Sequence, residues 1–112
     1  METLIKQDLE NFTGTEHYYK HWISKTVYTD GVKYIADKAG AYWLIDAILS
    51  YHRTEPFQIW KLEKTGTKAV LTMQEDSNTS ILVKQEIGFT DFPLDEIKFY
   101  LQNNVLMLPN EY

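Results

Sequence analysis

Three runs rich in β-favouring residues, 57–64, 69–75 and 80–89, are separated only by Thr65-Gly66-Thr67 and Asp76-Ser77-Asn78-Thr79. Links this short and turn-forming make neighbouring strands pair antiparallel, as a meander. In the third run Ile81, Val83, Ile87 and Phe89 alternate with Leu82, Lys84, Glu86 and Gly88, giving one buried and one wet face. The first run has apolar groups on both faces, Phe57 and Ile59 against Trp60 and Leu62, which predicts the most enclosed strand of the three.

Helical spacing dominates elsewhere. Leu4, Ile5, Leu9 and Phe12 predict a short helix over 3–12, stopped at Thr13-Gly14. Thr29 or Asp30 can cap a helix whose inner positions are Val32, Ile35, Ala36 and Ala39. Gly40 either ends that helix or is tolerated within a longer one, because 41–52 continues with apolar groups nearly all round. Thr54-Glu55-Pro56 closes the unit. Asp91-Phe92-Pro93-Leu94-Asp95-Glu96 resembles a helix start, so 93–103 is expected to be helical, with Leu94, Ile97, Tyr100 and Leu101 facing inward. Val105–Leu108 can add an edge strand before Pro109. Residues 16–23 read as a strand, with a helix capped by Thr15 as the alternative. The expected fold is α+β: a small antiparallel sheet, a three-stranded meander with room for extra edge strands, packed against two to four helices. A chain of 112 residues suits one domain spanning 1–112.

Composition narrows the function classes. Eleven basic and sixteen acidic side chains give −5, shared by both halves, and the lysines are scattered singly. Direct nucleic-acid binding, which needs clustered cations against phosphates, is disfavoured. An acidic mimic that blocks a DNA-binding protein is open, although modest negative charge also keeps ordinary domains soluble. No cysteine is present, which removes disulfides, thiolate metal sites and cysteine nucleophiles together. No window approaches the roughly 18 apolar residues of a membrane helix, and Met1-Glu2-Thr3-Leu4-Ile5-Lys6 lacks a signal peptide's basic leader. A cytoplasmic protein without membrane contact is the expectation.

Few residues are marked for chemistry. His17 and His21 lie four apart, about 6 Å in a helix, where one metal ion can bind both, but about 13 Å in a strand, where it cannot. Asp46 sits within the most apolar helical stretch, so either its pKa is perturbed or it belongs to a polar stripe with Ser50 or Arg53. A small hydrolase or lyase using His17, His21 and Asp46, with or without a divalent metal, is therefore one reading. The serines lack a Gly-x-Ser-x-Gly elbow, and the five glycines are isolated, so no triad and no nucleotide cradle is indicated. No cofactor is called for.

Aromatic residues make up 14% of the chain and crowd its first half. Tyr18, Tyr19, Trp22, Tyr28, Tyr34 and Tyr42 could anchor an interface or fill the core. The expected function is a non-catalytic binding protein, self-associating or contacting another protein or a small ligand through these rings.

The segments Phe12-Thr13-Gly14-Thr15-Glu16-His17-Tyr18-Tyr19, Tyr28-Thr29-Asp30-Gly31-Val32-Lys33-Tyr34, Ala39-Gly40-Ala41-Tyr42-Trp43-Leu44-Ile45-Asp46, Phe92-Pro93-Leu94-Asp95-Glu96-Ile97 and Leu106-Met107-Leu108-Pro109 resemble a family of small uncharacterised bacterial, notably cyanobacterial, proteins, a domain of unknown function. The resemblance spans nearly the whole chain and implies no activity, cofactor or catalytic residue.

Overall fold

The computed structural model describes residues 6–22, 24–51 and 53–112. In chain order they form α1 (Lys6–Glu10), β1 (Tyr18–Lys20), β2 (Val27–Thr29), α2 (Asp30–Ala39), α3 (Tyr42–Leu49), β3 (Phe57–Thr65), β4 (Lys68–Gln74), β5 (Val83–Ile87), β6 (Glu96–Gln102), β7 (Val105–Met107) and a terminal 3-10 turn, Pro109–Glu111. All seven strands join one sheet in the order β1-β2-β7-β6-β3-β4-β5, with β2 and β7 parallel and every other neighbour antiparallel. This corrects the expected small three-stranded meander packed on two to four helices: the chain is mostly sheet, mixed in direction, with three short helices.

The meander β3-β4-β5 is present, and β3 is central, paired on both sides. Its third strand is shorter than the pattern implied. Ile81, Leu82 and Phe89 lie outside β5 and are exposed, whereas Val83 is buried.

The largest correction falls on 93–103. Leu94, Ile97 and Leu101 fit a helical period, but Ile97, Phe99 and Leu101 fit a period of two, and β6 follows the second. Phe99, which the helical reading leaves off the inner face, is among the most buried residues and lies opposite Trp60. The turn decides between the two periods. Asn103 and Asn104 have φ of 54° and 61° and separate the paired residues Gln102 and Val105, which is a two-residue hairpin of the type I′ kind. Helix termination at Asn103-Asn104 and this hairpin both use asparagine's tolerance of left-handed backbone, so that signal alone was ambiguous. Asn104→Val is expected to destabilise the fold by about 1–2 kcal/mol, whereas Asn104→Gly should be neutral or stabilising, as read from urea midpoints.

The core lies between one face of the sheet and the helices. Val32, Ile35, Leu44 and Ile48 from α2 and α3 meet Trp60, Leu62, Leu71 and Phe99 from the strands. Leu9 and Phe12, in and just after α1, pack against this cluster, with the Phe12 ring 5.1 Å from that of Tyr34. Residues 3–5 of the expected first helix lie outside the described residues. Gly40 ends α2 in the left-handed region (φ 61°), where its N–H reaches the Ala36 carbonyl, so α2 and α3 are separate helices. On the opposite sheet face Phe57, Tyr100 and Tyr112 meet edge to face at 5.1–5.7 Å.

The chain's end closes the start of α2. Thr29 caps the helix, accepting the Val32 N–H at 3.4 Å, and its hydroxyl donates to Glu111 Oε1 at 2.6 Å. The same carboxylate accepts the Gly31 N–H at 3.1 Å and the Leu108 N–H at 2.9 Å. A carboxylate at the positive end of the helix dipole is thereby supplied from 80 residues away. Among the described residues no helix is long and apolar enough to cross a membrane.

Candidate functional site

β1 places His21 just beyond its end, turned inward and only 6% exposed. The Ser24 backbone N–H can only donate, and it lies 3.1 Å from His21 Nδ1, so Nδ1 accepts and Nε2 carries the proton. Nε2 faces Asp46 Oδ1 at 2.7 Å, and the Trp22 indole N–H donates to the same oxygen at 2.9 Å. Partial burial pushes the Asp46 carboxyl up, but the bonds from His21 and Trp22 outweigh it and hold the group below its ordinary value.

Ser24 Oγ is 2.9 Å from His21 Nδ1, so Ser24, His21 and Asp46 share the connectivity of a nucleophile, a base and an acid. The electron count favours a lock instead. Nδ1 has one in-plane lone pair, which the Ser24 hydroxyl must share with the Ser24 amide, and Ser24 Oγ accepts the Thr26 N–H at 3.2 Å. These bonds close the loop between β1 and β2 and tie it to α3. The stripe expected along α3 is corrected as well: Ser50 donates to the Ala47 carbonyl and Arg53 pairs with Glu55, leaving Asp46 to His21 and Trp22. His52 lies outside the described residues.

His17 turns elsewhere. It is 3.7 Å from Asp30, at the start of α2, so the two histidines are engaged by different carboxylates. β1, between them, is extended rather than helical. Among the described residues no group of three or more His, Asp or Glu side chains is placed to hold a metal ion. Asp30 also accepts the Glu16 and His17 amides and the Tyr19 hydroxyl, at 2.9, 3.4 and 2.9 Å. The Glu16 amide leads the bonds that hold its carboxyl below the usual value, against the upward push of burial.

Since Asp30 and Asp46 are both lowered on folding, the unfolded chain binds more protons in acid. The stability they supply is complete above the unfolded carboxylate range, about pH 4, and lost as pH falls through the lower folded values. Asp30→Asn is expected to flatten the acid limb of the stability profile, measured by urea melts over a pH series.

The aromatic candidates divide. Tyr28 and Tyr34 pack against the core, and Tyr19 stacks on Tyr28 with centroids 5.8 Å apart. Trp22, Tyr18 and Tyr42 are exposed, at 76%, 60% and 42%. Tyr42 is anchored through its hydroxyl to Asp37, which also pairs with Lys33 at 2.7 Å. The bond to Asp37, with burial and its charge, pushes the Tyr42 hydroxyl up to about 12. Exposed rings whose polar tips are fixed by carboxylates present apolar area in one orientation. Elsewhere the Lys61 ammonium stands between two carboxylates, 3.3 Å from Glu63 and 3.6 Å from Glu96. The sequence signalled the aromatic content but not which rings are buried, nor the part of Ser24, which depends on how the loop after His21 closes.

Residues 3–112 match the model of a family of unknown function, DUF6876. The chain belongs to this family. Comparison with curated proteins and with solved structures finds no match. For this DUF6876 member, the functional reading therefore rests on the chain's own geometry.

Proposed function

We propose that this DUF6876 protein is a non-catalytic binding module that associates with a second copy of itself along the β1 edge, with Trp22 as the central anchor. The observation that carries the reading is the indole: a tryptophan 76% exposed, yet held in place by its N–H bond to Asp46. An ordered, exposed tryptophan is the side chain most enriched where truncation costs binding energy. β1 is an edge of the sheet, and an edge strand carries backbone groups that a second strand can pair. Lys33 and Asp37, beside Tyr42, supply both charge signs, which suits the self-complementary contact of a two-fold dimer. A bacterial, notably cyanobacterial, origin and a cytoplasmic setting complete the reading, supported by the family resemblance and by the composition.

Sedimentation velocity over a concentration series tests it. The wild type should shift from monomer to dimer with rising concentration, and Trp22→Ala should weaken that association at least tenfold, about 1.4 kcal/mol or more. A wild type that stays monomeric into the millimolar range contradicts the proposal.

A further inference from the structure

A second feature lies at the other end of the β1–β2 loop. A cavity of about 690 Å³ opens between that loop, the end of α3 and the Asn103-Asn104 turn, a size that suits a small organic ligand. Its apolar lining is Ile48, Leu49 and Leu101 with Pro56. The charged groups along it are Lys25, Arg53 and Glu55. Arg53 and Glu55 neutralise one another through two bonds, Nε to Oε1 at 3.0 Å and Nη2 to Oε2 at 2.7 Å. Lys25 has no anionic partner among the described residues, so the cavity carries one uncompensated positive charge.

Two buried polar side chains also line it. Gln58 is held by the Trp60 indole N–H at 2.8 Å and by the Arg53 and Glu55 carbonyls. Thr26, only 8% exposed, differs: its hydroxyl has no protein partner among the described residues and stays open to solvent. A nearly buried hydroxyl with unused hydrogen-bonding capacity, in a cleft whose lining also carries the Lys25 side chain and the aliphatic Ile48, Leu49 and Leu101, matches a ligand with one negative end and an apolar body.

We propose that this cleft binds a small organic monocarboxylate, its carboxylate at Lys25 and the Thr26 hydroxyl and its apolar body on Ile48, Leu49 and Leu101. A single unneutralised cation suits a monoanion better than a phosphate dianion. The proposal is independent of the self-association through Trp22, because none of the cavity's lining residues belongs to the proposed interface.

The test is a titration of the full chain, labelled with ¹⁵N, with hexanoate, hexanamide and hexyl phosphate. Hexanoate should produce saturable amide shifts centred on Thr26, Leu49, Leu101 and Asn104, with hexanamide at least about tenfold weaker. Lys25→Gln, at an exposed position, should weaken hexanoate about tenfold and leave hexanamide unchanged, and Thr26→Val should weaken hexanoate several-fold. The proposal is overturned if hexanoate gives no saturable shifts in the cleft, if hexyl phosphate binds more tightly, or if Lys25→Gln leaves the hexanoate affinity unchanged.

Discussion

Gly31→Ala is expected to destabilise the protein by about 2–4 kcal/mol, an unusual cost for adding one methyl group to a helix's first turn. A Cβ there would stand 2.6 Å from Leu108 Cδ1 and 2.7 Å from Glu111 Oε1, so the Glu111 carboxylate would be displaced. Displacement removes the acceptor for the Thr29 hydroxyl and for the Gly31 and Leu108 amides together. Glu111→Ala should therefore cost a similar amount. The two changes act on one contact, so the double variant should cost clearly less than the sum of the singles. Urea denaturation of the four proteins reads this directly, and additive costs would mean that the carboxylate does not hold the start of α2.

His21→Ala should cost about 2–4 kcal/mol for a different reason. It empties a buried ring site and strips partners from the Ser24 amide and the Asp46 carboxylate. Ser24→Ala keeps the amide bond to Nδ1 and removes only the hydroxyl contacts, so it should cost about 1 kcal/mol or less. This ordering separates a lock from a nucleophilic site. A serine whose removal barely affects stability but abolishes a measurable ester hydrolysis would contradict the structural assignment of this cluster.

The residues show why part of the fold was legible and part was not. The antiparallel order of β3, β4 and β5 could be read because a short polar turn and alternating side chains are local signals, although the link from Gln74 to Val83 is longer than the turn expected at 76–79. The capping of α2 by Thr29 was equally local. β6 was not, because residues 94–101 satisfy two periods at once, and the choice between them is made by pairing with β3 and β7. The parallel contact of β2 with β7 joins segments nearly eighty residues apart, and nothing in either three-residue strand announces the other. The same limit applied to the site. Asp46 stood out as a carboxylate in an apolar helix, but its partners, His21 and Trp22, come from a loop whose path is set by the sheet. Glu111 carried no signal at all near the chain's end, although it completes a helix that begins at Asp30.

The proposed association is tested most directly by the ¹⁹F spectrum of protein labelled with 5-fluorotryptophan, recorded from micromolar to millimolar concentration. The three tryptophans report different surroundings, since Trp60 is fully buried, Trp43 half-buried and Trp22 exposed. The resonance lost in Trp22→Phe should move progressively with concentration and become protected from a soluble paramagnetic agent, while that of Trp60 stays fixed. A Trp22 resonance that keeps its position and its full solvent exposure throughout the series would contradict the association.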